Sequence, residues 1–191
     1  MTHTTTLPPI ATILYDILRQ HHLAETFESA TDFHLRLENP PYLPLVIERH
    51  GDEVSVAHYF THALRGDAMR DPEMTFRLPG WTPTSITQDP VGQYACIDDL
   101  PEGSRQRANL LADLMVFAHA WARNIRAQGF AGGEVKVSSL THSTALECNA
   151  QTEAHEGSAP DVHLEMRYED RFASDHEVYE PSPYDGTYSE E

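Results

Sequence analysis

Five residues between positions 58 and 73 carry side chains that could do chemistry: His58, His62, Asp67, Asp71 and Glu73. Imidazole nitrogens and carboxylate oxygens are the groups with which proteins bind divalent metals. The two histidines with Asp67 and Glu73 would complete a ligand set if they converged in space, and a metal-dependent hydrolase is therefore one hypothesis. Their spacing matches no established metal motif such as H-E-x-x-H.

The same stretch can also be interpreted as a binding site without a metal. Asp67 follows a glycine and Asp71 precedes a proline, so both carboxylates suit exposed turns. Glu73 faces away from the apolar side of its predicted strand. We expect these three carboxylates, together with Trp81, to form a candidate site for another macromolecule, with no catalytic residue and no cofactor.

His58 also has a structural interpretation. It is in phase with Val54, Val56 and Phe60, which share one face of a predicted strand. This phase favours a buried, hydrogen-bonded histidine over a metal ligand.

The elements that would position these residues are predicted by alternation of apolar and polar side chains. Short runs of this pattern are separated by turn residues, as in the Gly51-Asp52 hairpin turn. They predict an antiparallel meander of four to six strands. The candidate strands cover residues 32–38, 43–49, 53–60, 73–78, 84–88 and 93–97.

Two amphipathic helices are predicted on either side of the meander. Apolar residues recur at helical spacing over about 9–22, after prolines that suit a first turn. A longer helix starts at Ser104, a residue that caps helices well, and stops at Gly129. A one-sided sheet and two one-sided helices can bury each other, which predicts an α+β fold in two layers over residues 7–130.

The chain changes character after residue 130. Residues 131–149 are expected to form a linker or an extra short strand. Residues 150–191 contain 12 acidic side chains and only two arginines, Arg167 and Arg171, which predicts a disordered acidic tail.

The charge of the chain restricts its partners. Its 30 acidic and 13 basic residues give a formal net charge of −17 over 191 residues. Such a field repels nucleic acids and anionic membranes and favours a basic protein partner. An acidic mimic of DNA that inhibits a DNA-binding enzyme is a further alternative. The absence of a secretory pattern or a long apolar run predicts a cytoplasmic protein.

Residues 54–97 carry a recognisable series of motifs. Ala57 to Phe60 fits A-H-Y-[YF], Gly66 to Phe76 fits G-D-x-M-x-D-P-E-M-x-F, and Thr87 to Tyr94 fits x-Q-D-x-x-G-x-Y with its first position as threonine. This series resembles a small bacterial domain family of unknown function. The resemblance implies an accessory role in mobile genetic elements such as plasmids and phages, and it brings no established catalytic residues. We therefore predict a non-enzymatic accessory protein that acts by binding another macromolecule.

Overall fold

The computed structural model of the chain describes residues 7–62 and 66–144. Within these residues, a single sheet is accompanied by three α-helices, and short 3-10 turns flank the strand at 93–96. The helices are α1 (Pro9–Gln20), α2 (Ala24–Ser29) and α3 (Arg105–Ala127), and the strands are β1 (Asp32–Glu38), β2 (Leu45–His50), β3 (Glu53–Thr61), β4 (Ala68–Arg77), β5 (Thr82–Gln88), β6 (Gln93–Cys96) and β7 (Lys136–Ser143).

The sheet has seven strands in the order β6-β5-β4-β3-β2-β1-β7, and every neighbouring pair is antiparallel. The first six strands follow one another in space as they do in sequence. This arrangement confirms the α+β class and the antiparallel meander. The seventh strand falls in the segment 131–149, where a linker or an extra strand was the expectation, and it pairs with β1.

The helices cover one face of the sheet, which we call the helix side; the opposite face is the outer face. The inward residues of β1 alternate with polar ones, and Phe33, Leu35 and Leu37 are all at most 2% exposed. They join the apolar stripes of α1 and α3 in one core. The buried stripe of α1 comprises Ile10, Ala11, Ile13, Leu14, Ile17 and Leu18, and that of α3 comprises Leu114, Ala118, Trp121, Ala122 and Ile125.

The predicted ends of α3 agree closely with the structure. The Ser104 hydroxyl oxygen accepts a hydrogen bond from the Arg107 backbone N–H at 3.1 Å, which satisfies one of the free donors of the first turn. Gly129 follows the helix with a φ of 81°, a conformation that glycine adopts without steric cost.

Two local features differ from the sequence prediction. Helix α1 ends at Gln20 rather than near residue 22, because His22 already has a left-handed φ of 58°. Helix α2 was not predicted, since six residues are too few to show a helical period. Its Phe27 is buried and packs edge-on against Phe33 at a centroid distance of 5.3 Å.

Trp81 lies in the core and not on a surface. Its side chain is 3% exposed and contacts the rings of Tyr15, Phe27 and Phe76 at centroid distances of 6.0, 6.3 and 6.1 Å. The turn before β5 carries Trp81 at a φ of 54°, which directs the ring inward beneath α1 and α2. This position corrects the expectation that Trp81 contributes to an exposed binding site.

None of the helices in residues 7–62 and 66–144 combines the length and the apolar composition that a membrane crossing needs.

The burial of Trp81 leads to a prediction about stability. Trp81→Ala should lower the free energy of unfolding by about 3–5 kcal/mol, because it removes a large core side chain and leaves a cavity. Urea denaturation followed by circular dichroism measures the change. Val116→Ala, at a position that is 71% exposed, is the control and should change stability by no more than about 0.5 kcal/mol. Equal effects of the two substitutions would contradict the core position of Trp81.

Candidate functional site

A cavity of about 410 Å³ lies on the helix side, where the end of the sheet meets the last turns of α3. We call it the helix-side cavity. Its volume falls within the range of ligand pockets, roughly 300–1,000 Å³. The described residues that line it are Pro41, Tyr42, Leu43, His58, Asp71, Pro72, Phe117, Ala120, Trp121, Asn124 and Gln128.

A β-bulge brings the sheet residues of this cavity together. Ala57 pairs with Glu73 and Tyr59 pairs with Arg70, so two residues of β4 stand opposite His58 alone. These two residues are Asp71 and Pro72. A bulge of this kind bends a strand and re-aims its side chains, and here Asp71, Pro72 and His58 all line the cavity.

His58 is buried at the base of the cavity, with one ring nitrogen bound to the backbone and the other shielded from solvent. Its side chain is 4% exposed, and its Nδ1 lies 3.2 Å from the carbonyl oxygen of Pro44. A carbonyl can only accept, so Nδ1 carries the hydrogen of this bond. Nε2 is fully shielded from solvent, and the Gln128 side chain is its neighbouring polar group. The rings of Trp121 and Phe130 pack against the imidazole at 5.9 and 5.7 Å.

The electrostatic environment keeps His58 neutral near pH 7. Burial is the largest effect and lowers its pKa below the ordinary value of 6.5, although the backbone at Pro44 and Leu43, the Gln128 side chain and the Asp71 carboxylate act in the opposite direction. With the hydrogen on Nδ1, a neutral ring leaves a lone pair on Nε2. Nε2 is therefore an acceptor that the Gln128 side-chain amide can satisfy within the protein.

Gln128 joins the end of α3 to the sheet. It is the C-cap residue of α3, and its side-chain amide hydrogen-bonds with the His58 imidazole. Its backbone carbonyl accepts a hydrogen bond of 2.7 Å from the Asn39 side-chain amide. That bond ties the loop before β2, which carries Tyr42 and Leu43, to the end of α3.

The mouth of the cavity is both acidic and apolar. Asp71 is half-buried. Its Oδ1 accepts a long hydrogen bond of 3.4 Å from the Gln88 side-chain amide. Tyr42 and Leu43 are 43% and 38% exposed, although both are large hydrophobic residues.

Polar groups on the outer face of the sheet, by contrast, satisfy one another. The Tyr59 hydroxyl donates to Glu73 at 2.8 Å, and Arg70 binds both carboxylate oxygens of Asp89, with Nε 3.0 Å from Oδ2. Burial, followed by the hydrogen bond to Glu73, raises the pKa of Tyr59, and the Arg70 hydrogen bond lowers that of Asp89. A second cavity of about 440 Å³ on this face is lined by Tyr59 with His34 and Glu48, which pair at 2.8 Å.

The structure separates the residues of the predicted binding site. Asp71 lines the helix-side cavity, whereas Glu73 lies on the outer face with Tyr59. Asp67 is exposed in the turn before β4, where its carbonyl accepts from the His62 backbone N–H at 2.8 Å. Trp81 is in the core. The four residues therefore share no common surface, and Asp71 is the one that lines the helix-side cavity.

The predicted metal ligands are also kept apart. His58 lies on the helix side, Glu73 lies on the outer face, and His62 follows the end of β3. Within residues 7–62 and 66–144, no group of three or more His, Cys, Asp and Glu side chains is arranged to hold a metal ion. The buried position of His58 agrees with its structural interpretation from the strand pattern.

Sequence analysis missed several residues of the cavity: Tyr42, Leu43, Phe117, Asn124 and Gln128. Phe117 and Asn124 lie on α3 beside the buried stripe, and Tyr42 and Leu43 belong to a proline-rich loop. Trp121 belongs to the buried stripe of α3 and is 4% exposed, yet it also forms a wall of the cavity. The signal that could have indicated Gln128 is its place directly before the glycine that ends α3.

The buried, neutral state of His58 predicts a pH dependence of stability. The folded protein holds this proton more weakly than the unfolded chain, so the stability present above about pH 6.5 should fall as the pH drops below that value. One proton gives a slope of at most about 1.4 kcal/mol per pH unit. Urea denaturation between pH 5 and 8 should show a shallower slope for His58→Phe than for the wild type.

The matched control for this experiment is His119→Gln, because His119 is an exposed histidine on α3. This variant should keep the wild-type slope. An unchanged slope in His58→Phe would show that His58 titrates alike in the folded and unfolded states.

Comparison with known proteins identifies a family for this chain. A family model described as "Domain of unknown function (DUF6908)" matches residues 12–131, which include most of α1, all of α2, the strands β1 to β6 and α3. No curated protein and no solved structure matches the chain. The chain belongs to the DUF6908 family, whose function is unknown.

Proposed function

We propose that this domain is a non-enzymatic binding module and that it binds another protein at the helix-side cavity. The observation that carries the proposal is a cavity of about 410 Å³ in which the Asp71 carboxylate lies beside the exposed apolar side chains of Tyr42 and Leu43.

The Asp71 carboxylate is the charged group that the cavity offers to a partner. It is half-buried, and its Oδ1 accepts a long hydrogen bond of 3.4 Å from the Gln88 side-chain amide. On the outer face, by contrast, polar side chains such as Tyr59, Arg70 and Glu73 already bind one another.

A protein partner is favoured by the mouth of the cavity. Tyr42 and Leu43 expose large apolar surfaces next to a recessed polar site. Protein interfaces commonly have this form, with an anchoring side chain that enters a pocket and apolar contacts that exclude water around it. The net charge of −17 favours a partner with a basic surface.

Binding is favoured over catalysis by the chemistry of the lining. Among the described residues that line the cavity, none is Ser, Thr, Cys or Lys, the side chains that most often act as nucleophiles. His58 Nε2 is shielded from solvent, so it does not reach a substrate in the cavity as a general base. The hydrolase alternative required a metal group of His58, His62, Asp67 and Glu73, and the structure does not assemble these side chains.

Other parts of the prediction stay predictions. The accessory role in a mobile or phage-like element rests on the family resemblance, and the cytoplasmic location rests on sequence composition. The acidic-mimic alternative depends on residues 150–191, which lie outside the described residues. Asp67 and Glu73 are not needed by the proposed site.

Site-specific photo-crosslinking in the native host tests the proposal. The photoreactive residue p-benzoylphenylalanine is placed at Leu43, at the mouth of the cavity, or at Val91, which is 71% exposed in the turn between β5 and β6. We expect a discrete crosslinked protein from position 43 and not from position 91. The added mass on a denaturing gel, followed by mass spectrometry, identifies the product.

Two substitutions then connect the crosslink to the cavity. Asp71→Asn should reduce the yield from position 43 by about tenfold, the effect of losing a charged hydrogen-bond partner. Glu73→Gln, two residues away but on the outer face, should leave it unchanged. Equal crosslinking yields from positions 43 and 91 would refute the proposed function. A yield from position 43 that Asp71→Asn leaves unchanged would also refute it.

A further inference from the structure

We infer that a second copy of this chain pairs with the free edge of strand β7. The two β7 strands run antiparallel about a two-fold axis at Thr141, and the seven-stranded sheets of the two copies become one continuous sheet. This inference goes beyond the proposed function, because it concerns a different surface and does not depend on the helix-side cavity.

Strand β7 is the longer of the two edge strands of the sheet. It ends the strand order, and among the described residues it pairs with β1 alone. An edge strand directs a row of backbone N–H and C=O groups away from the sheet, where another strand can bind them. The opposite edge strand, β6, has four residues between two 3-10 turns, whereas β7 has eight. The edge of β7 is therefore the one that can hold a further strand.

The features that commonly block an edge strand are confined to the start of β7. Lys136 carries the single lysine, arginine or carboxylate side chain of the strand, and the bulge lies opposite Arg36 and Leu37. Residues 138–143 contain no proline and no lysine, arginine, aspartate or glutamate. Leu140 is 39% exposed although it is a large hydrophobic residue. The second half of β7 is therefore open to pairing.

The outer face of β7 carries hydroxyl groups that can pair with themselves. Ser139, Thr141 and Ser143 lie in register with the polar residues of β1 that face outward. A two-fold axis at Thr141 brings the two copies of this residue opposite each other and places Ser139 opposite the second copy's Ser143. Cross-strand pairs of threonine and serine form hydrogen bonds that stabilise a sheet. This symmetry favours a second copy over an unrelated peptide.

The helix side of the same pairing is apolar. Leu140 lies in register with Leu35, which is buried beneath the helices. Residues directly opposite each other share one face of a sheet, so the axis at Thr141 brings the second copy's His142 over Leu140. Each copy then covers part of the exposed leucine of the other. Both copies also keep their helices on the same side of the joined sheet.

The distribution of charge agrees with contact at this segment. Each copy has a formal net charge of −17, so two copies repel each other at a distance. Residues 139–143 contain no carboxylate, lysine or arginine, so no such charges oppose each other where the strands meet. Added salt screens the remaining repulsion, and it should therefore strengthen the association. A dimer that is held by ion pairs would instead weaken in salt.

Analytical ultracentrifugation of the full chain tests the association. We expect a concentration-dependent species with twice the 21.5 kDa mass of one chain. The fraction of this species should rise with added salt. A monomer at every soluble concentration would overturn the inference, and so would a dimer that salt dissociates.

A cysteine at the two-fold axis tests the register. In a chain that carries Cys96→Ser and Cys148→Ser, Thr141→Cys should form a disulfide between two copies, because opposite Cα atoms lie about 4.5–5.5 Å apart. Ser138→Cys is the control on the same strand, since the two copies of this position would lie about 20 Å apart. Equal yields of disulfide-linked dimer from both variants, or no yield from Thr141→Cys, would overturn the pairing.

Opposite charges at position 141 provide a test that misfolding cannot imitate. Thr141→Asp and Thr141→Lys should each weaken the dimer by about fivefold, because like charges then face each other across the axis. An equimolar mixture of the two variants should restore the association, since opposite charges then meet. Thr82→Asp adds a charge to β5 and should leave the association unchanged. A mixture that associates no better than its components would overturn the inference.

Hydrogen exchange of the β7 amides identifies any other occupant of the edge. Protection that increases with protein concentration supports the second copy. Protection of every β7 amide at concentrations where the chain is a monomer would show that the edge is already filled within one chain. That result would overturn the inference.

The inference and the proposed function can fail separately. A monomer that keeps an Asp71-dependent crosslink at position 43 would remove the dimer and keep the binding module. A dimer that shows no such crosslink would remove the partner protein at the helix-side cavity and keep the pairing of β7.

Discussion

The apolar face of the meander has to be removed from water, and α1 and α3 are the elements that do so. Leu35, Val56 and Phe76 come from three different strands and are fully buried beneath this helical layer. Because α3 has a single apolar stripe, its rotation on the sheet is fixed by residues such as Leu114 and Ile125. This fixed rotation in turn directs Trp121 and Gln128 to the end of the sheet, where the cavity forms.

Polar groups on the two faces of the sheet meet different constraints. On the outer face, solvent and neighbouring side chains are both available, and pairs such as Tyr59 with Glu73 form across adjacent strands. On the helix side, the layer of α3 excludes solvent from His58, so a polar atom there depends on partners within the protein or on a ligand. The bulge in β4 places the Asp71 carboxylate on this otherwise apolar side.

The sequence predicts the features that local pattern controls and misses those that depend on distant contacts. Alternation along 53–60 correctly directs His58 inward, and the Ser104 and Gly129 signals correctly mark the ends of α3. The cavity depends on a contact between Asn39 and Gln128, which are 89 residues apart. The burial of Trp81 could not be predicted for a similar reason. Trp81 lies in a turn between two strands, where no alternating pattern indicates whether its side chain faces the core or the solvent.

The position of β7 has a consequence for the order in which the fold is completed. It pairs with β1 through contacts such as Asp32 with Ser143, 111 residues later in the chain, and it lies beyond residue 131, where the family match ends. Until the ribosome has released residue 143, β1 is an edge strand with one row of unpaired N–H and C=O groups. Exposed edges of this kind invite pairing with other chains. The pairing of β7 therefore changes β1 from an exposed edge strand into an interior strand of the sheet.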